Sequence, residues 1–254
     1  MTTFLAFYQN LGPALTLLVF GTFLVAGTVK GVIGLGLPTV AMGLLGLAML
    51  PAQAAALLII PSTITNLWQL ASGGHLRGLI ERVWPMLLLV FLGTVLGSLW
   101  LGMNGGQQVV RALGAALLLY ALSGLFLPTL KLKPATERWL GPMCGLVTGL
   151  ITSATGVFVI PAVPYLQALG LSRDQLVQAL GLSFTVSTLA LAIGLYWRGN
   201  LGASELNASF LALAPALLGM WLGQTLRQRI SAVLFKRMFF IGMAALGGHL
   251  LLNA

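Results

Sequence analysis

Long apolar stretches, broken by glycine, proline and small polar clusters, run the length of the chain, and their lengths predict its elements. A helix needs about 20 mostly apolar residues to cross the hydrocarbon core of a bilayer. Such stretches fall near 12–34, 37–50, 52–72, 85–102, 108–128, 139–158, 160–170, 175–197, 206–226 and 236–253. Eight of them are long enough to span, whereas 37–50 and 160–170 are too short. Each short piece follows a long one that ends in glycine, small polar residues and proline. Hairpins dipping part-way into the membrane fit those lengths, with tips sheltered by protein or a water-filled cavity.

The basic residues decide how the short pieces count. If each merged with the helix after it, eight crossings would leave six Lys and Arg on one side and five on the other. If each instead returns the chain to the side it came from, Arg77, Arg82, Lys131, Lys133, Arg138, Arg173, Arg227, Arg229, Lys236 and Arg237 share one side, opposite Arg111 and Arg198. The second arrangement obeys the positive-inside bias and makes the basic loops cytoplasmic, with both termini outside. The first ten residues contain no Lys or Arg, so they lack the basic region of a cleaved signal peptide.

Two stretches resemble each other. Residues 26–33 (AGTVKGVI) read against 144–151 (CGLVTGLI), and each runs on to a proline, Pro38 or Pro161. Further along, residues 60–67 (IPSTITNL) sit opposite 182–189 (LSFTVSTL). Five segments separate equivalent points, and an odd number turns the second half upside down. The expected fold is therefore an all-α, polytopic membrane protein of two inverted repeats. Residues 1–128 form the first, with a re-entrant or broken-helix hairpin near 12–50 and three transmembrane helices. Residues 129–138 are a basic cytoplasmic linker. Residues 139–254 form the second, with a hairpin near 139–170 and three more helices. Paired broken helices of this kind hold substrate between them in secondary transporters.

Composition supports the membrane assignment. The 254 residues are 58% hydrophobic and 7% charged, with a mean hydropathy of +1.00, against roughly 25% charged in an average soluble domain. A net charge of +9 would suggest nucleic acid in a soluble protein, but here it belongs to the loops. A single cysteine, Cys144, permits no internal disulfide and reads as a buried, inert thiol.

Lys30 is the one basic residue deep inside an expected segment, where a charge costs roughly 2.5–3.5 kcal/mol on insertion scales. No acidic residue lies in a segment except near its ends. Either Lys30 snorkels to an interface, or its partner is an anionic substrate. The tips Gly34-Leu35-Gly36-Leu37-Pro38 and Thr152-Ser153-Ala154-Thr155-Gly156 are expected to meet. Freed backbone N–H groups, the helix starts after Pro38 and Pro161, and the hydroxyls of Thr148, Thr152, Ser153 and Thr155 would favour an anion there. Behind them stand Ser62, Thr63, Asn66 and Gln69 on one helix, against Ser183, Thr185, Ser187 and Thr188 on another. Hydroxyls in membrane helices also bond their own backbone or a neighbouring helix.

Residues 27–38, their echo in 145–161 and the polar helix after Pro61 resemble the TauE/SafE family, also called the sulfite exporter or TSUP family. The resemblance covers almost the whole chain. It implies a multi-pass transporter of the cytoplasmic (inner) membrane acting on sulfite, sulfonates and related organosulfur anions. Carried over, its substrate site comprises Lys30, Gly31, Gly34, Gly36, Pro38, Asn66, Thr148, Thr152, Ser153, Thr155, Gly156, Ser183 and Ser187. Where the family often has a run of glycines at the first tip, Leu35 and Leu37 flank Gly36 here.

The leading expectation is thus a secondary transporter exporting a small anion, by one repeat rocking against the other around a midplane site. No G-x-x-x-x-G-K-[ST] pattern occurs, so ion or substrate gradients must supply the energy. Two scattered His and one Cys offer no cluster for an enzyme, and no metal ligand set or cofactor is called for. A carrier of metal cations or another small solute is the rival, and a membrane assembly subunit comes third. The partners expected are a small anion and membrane lipid, with no nucleic acid, and the sequence leaves homo-oligomerisation open.

Overall fold

The computed structural model describes residues 2–103, 106–127 and 131–253. The end of the expected 108–128 segment and the start of the 129–138 linker, at residues 128–130, lie outside them. Among the described residues there are eleven helices and no strand: α1 (Thr2–Leu11), α2 (Pro13–Ile33), α3 (Leu37–Leu45), α4 (Pro51–Ala71), α5 (Leu76–Trp100), α6 (Gln107–Phe126), α7 (Pro134–Thr155), α8 (Ala162–Ala168), α9 (Arg173–Trp197), α10 (Ala203–Leu226) and α11 (Ala232–Asn253). Seven of them, α2, α4, α5, α6, α9, α10 and α11, are long and apolar enough to cross a membrane. The expected eighth, 139–158, sits in α7, which starts earlier and takes in Glu137 and Arg138. The chain is a membrane-spanning helical protein. Its outer surface carries large exposed apolar side chains such as Leu17, Leu119 and Phe126, together with Trp68, Trp84, Trp100, Trp139, Trp197 and Trp221, as lipid contact and interfacial anchoring require.

Local signals explain most boundaries. Proline opens α2, α3, α4 and α7, where its missing N–H costs nothing. Ser172 caps α9 in a reciprocal box with Gln175. Helix α5 begins nine residues before the expected segment 85–102, so Arg77, Glu81 and Arg82 ride on its first turns rather than in a loop. Helix α1 also falls where no segment was expected.

Within α4, Pro61 cannot donate to the carbonyl of Leu57. The hydroxyl of Ser209, on α10, takes its place: it donates to that carbonyl (2.8 Å) and accepts from the N–H of Ile60 (3.0 Å). A proline break in one helix is thus mended by a side chain from another.

Helices α2 and α10 run parallel, with Gly27 and Gly31 set into Ala216, Met220 and Gly223. A Cβ on Gly27 would lie 2.1 Å from the carbonyl oxygen of Ala216. Helices α5 and α7 repeat this packing, with Gly145 against Met86 and Gly149 against Val90, Gly93 and Thr94. Such small-residue seams are how membrane helices gain van der Waals contact without a hydrophobic driving force. Helices α4 and α9 run antiparallel, joined from Ser62–Thr188 at one level to Gln178–Leu70 at another. Helices α6 and α11 are antiparallel too, from Gly114 against Leu250 to Gly124 against Phe240.

Candidate functional site

Lys30 lies near the end of α2 and is 3% exposed. Its ammonium donates to Thr65 Oγ1 (2.9 Å) and to Asn66 Oδ1, both on α4. The side chain therefore does not snorkel to an interface. Because an ammonium can only donate, the contact also fixes the amide of Asn66, whose Nδ2 donates to Ser62 Oγ (3.0 Å) and Thr188 Oγ1 (3.4 Å). Ser62 and Thr188 are themselves 3.0 Å apart across the α4–α9 seam. The result is a closed polar knot of Lys30, Ser62, Thr65, Asn66 and Thr188, buried among α2, α4 and α9. All the partners of the cation are neutral. A buried charge without an opposite charge is among the costliest features a fold can carry, and the third N–H of Lys30 has no acceptor among the described residues.

One turn further on, α2 ends. Gly34 takes a left-handed conformation (φ 78°) that other residues rarely adopt, and its N–H donates back to the Lys30 carbonyl (2.8 Å). Its own carbonyl accepts from Gln69 Nε2 (2.5 Å) on α4. Gly31 belongs to the α10 seam, Gly36 packs beside Val29 and Phe239, and Pro38 is buried in the first turn of α3.

The second hairpin differs from the sequence expectation. Thr152, Ser153 and Thr155, read as its tip, form the last turn of α7, and the break runs from Gly156 to Pro161. The hydroxyls of Thr152 and Thr155 donate to the carbonyls four residues back, at 2.7 Å each, and Ser153 donates to Leu150 (2.8 Å). These bonds spend the hydroxyl protons on the helix itself. Gly156, left-handed at φ 71°, ends α7 as Gly34 ends α2. Two of the backbone N–H groups expected to be free for an anion are taken: Ala162 donates to Thr148 Oγ1 (3.1 Å) and Val157 to Thr155 Oγ1 (3.2 Å). Ser187 bonds the Ser183 carbonyl (2.9 Å), while Ser183 Oγ is buried without a partner.

Of the expected site residues, the structure brings together Lys30 with Asn66, and Thr148 with the α8 start. Gly34 lies beside Gln69 and Val177, Gly156 lies beside Met42 and Met103, and among the described residues no hydrogen bond links 34–38 to 152–161. Thr65, a direct partner of Lys30, was missed by sequence reasoning. Its signal was available, since Ser62, Thr65, Asn66 and Gln69 form one stripe at helical spacing.

Elsewhere, Gln178 ties the end of α4 to the start of α5 by donating to the carbonyls of Leu70 (2.8 Å) and Gly73 (2.7 Å) and accepting from the His75 N–H (2.9 Å). At the other end of α9, Arg198 donates to the carbonyls of Ser98 and Leu99 in the last turn of α5. Arg82 joins α5 to the Glu137 carboxylate of α7 (2.7 and 3.0 Å) and to the Leu169 carbonyl (2.9 Å). A mainly apolar cavity of about 240 Å³, lined by Tyr120, Cys144, Pro161, Tyr165 and Phe240 among others, lies apart from Lys30. Among the described residues no group of three or more His, Cys, Asp or Glu is placed to hold a metal.

Compared with known families, residues 19–250 match the profile described as "Sulfite exporter TauE/SafE", nearly the whole chain. Neither the curated proteins nor the solved structures compared with the chain gave a match.

Proposed function

Because the chain belongs to the sulfite exporter TauE/SafE family of membrane transporters, we propose that it exports a small anion, such as sulfite, a sulfonate or a related organosulfur anion, with Lys30 as the residue that binds it. One observation carries the reading: a buried ammonium held only by the neutral oxygens of Thr65 and Asn66. An incoming anion supplies the charge that the fold omits and can accept from the third N–H of Lys30, leaving the bonds to Thr65 and Asn66 and the rest of the knot in place.

Residues 1–128 and 139–254 are proposed as inverted repeats, and the pairing of helices supports this. Equivalent helices α4 and α9 meet antiparallel, as do α6 and α11, while α2 lies on α10 as α7 lies on α5. The knot sits on the α4–α9 seam, where motion would expose it alternately to either face. The ends carrying Arg77, Arg82, Arg138 and Arg173 are assigned to the cytoplasm by the positive-inside bias. Cysteines introduced at Leu132 and Asn200 should then react with an impermeant thiol reagent from opposite faces of the membrane. Reaction of both from one face would overturn the topology.

The decisive test is Lys30→Met in proteoliposomes. Sulfite and sulfonate flux should fall by roughly 100-fold, the scale of lost charge-assisted hydrogen bonds. The protein should stay folded, with an unchanged or raised melting temperature, because removing an uncompensated buried charge relieves a cost. Full flux through this variant would remove the anion site.

A further inference from the structure

Gln69 stands one turn from Asn66 on the same stripe of α4, is 7% exposed, and has a buried Oε1 with no partner. Its orientation is not arbitrary. Nε2 donates to the Gly34 carbonyl, a group that can only accept, so the amide cannot be flipped and Oε1 must remain the open atom. An acceptor left buried and unpaired is costly, and it requires a reason.

The reason lies in what faces the other way one rung below. Lys30 has an N–H without an acceptor, and Gln69 has an acceptor without a donor. Lys30 and Gly34 are four residues apart on α2, and Asn66 and Gln69 three apart on α4, so the Lys30–Asn66 and Gly34–Gln69 contacts lie about one helical turn, roughly 5 Å, apart along the two helices. Gly34 is half-buried, and a Cβ on it would make only ordinary van der Waals contact, with Gln69 Nε2 at 3.6 Å and Val177 at 4.0 Å.

We infer that the transported anion carries a hydrogen-bond donor of its own, accepted by Gln69 Oε1 while Lys30 holds the negative end. This rests on the anion-transport reading and narrows its substrate class. An anion still bearing a proton, or a sulfonate with a hydroxyl or ammonium group a short distance away, satisfies both rungs. A fully deprotonated dianion or a plain alkyl sulfonate offers only acceptors or methylene to Gln69 and leaves its oxygen unpaired.

The test is calorimetric binding to the purified full-length protein of three sulfonates of similar reach. Ethanesulfonate has no donor, 2-hydroxyethanesulfonate has one, and 2-methoxyethanesulfonate keeps the oxygen without the proton. The hydroxylated compound should bind roughly tenfold more tightly than either of the others, the order expected for one satisfied buried acceptor. In Gln69→Leu the ratio should fall to about one, and Gln69→Met serves if the leucine variant does not fold. Equal binding of the three by the wild type, or a preference that survives both substitutions, overturns the inference and leaves the anion reading standing. Binding of none of the three overturns the inference for sulfonates, and failure of sulfite to bind as well removes the anion reading with it.

Discussion

The two hairpins share a frame and differ in chemistry. Helices α2 and α7 both open at proline, both lay glycines into a neighbouring helix, and both end at a left-handed glycine, Gly34 or Gly156. Four residues before those glycines stand Lys30 in one and Thr152 in the other. Lys30 reaches across to α4, where Asn66 carries the network on to α9, whereas Thr152 bonds the Thr148 carbonyl in its own helix. These features recur in both hairpins and the charge does not: the first carries the ammonium, and the second supplies shape.

The largest effect should come from attacking the shared frame. Gly27→Leu or Gly149→Leu places a side chain where even a Cβ falls 2.1 or 2.6 Å from the backbone of the facing helix, and neither should yield monodisperse protein on size-exclusion chromatography. Next is the knot. Asn66→Leu strips Lys30 of one partner, leaving buried groups unpaired at about 1–3 kcal/mol. The melting temperature should drop by several degrees and flux should fall with it. An unchanged melting curve would show that the knot is not closed in the membrane. The smallest effect should be Thr152→Val, since a hydroxyl bonded to its own helix contributes little. Flux within about twofold of wild type would keep the chemistry on one side of the frame, and a loss as deep as that of Lys30→Met would place it on both.

Much of this was legible in the sequence, for physical reasons. Apolar runs set the helices, and Lys30 stood out because a lone charge in a segment demands an explanation. The second tip was misplaced by a turn because Thr152, Ser153 and Thr155 look like loop residues. In an apolar helix they remain helical by bonding carbonyls a turn behind. The helix-ending glycines offer a second alignment of the hairpins, Gly34 against Gly156, four residues later than Ala26 against Cys144 and at the same separation as the Ile60–Leu182 match. Charges at the start of α5 were read as loop, although Arg77 and Glu81 make an exposed i,i+4 pair on it (3.1 Å). That Lys30 meets Thr65 and Asn66 depends on how α2 crosses α4, which neither stretch encodes alone.

The glycine seams also bear on how the molecule is made. Since α2 rests on α10 and α7 on α5, each half leaves a bare glycine groove until the other fills it. The glycine faces of α2 and α5 are then expected to stay uncovered in the bilayer until the later helices are synthesised. The grooves are filled by α2, α5, α7 and α10 themselves, so two fragments divided between α6 and α7 and produced together have the surfaces they need to find one another.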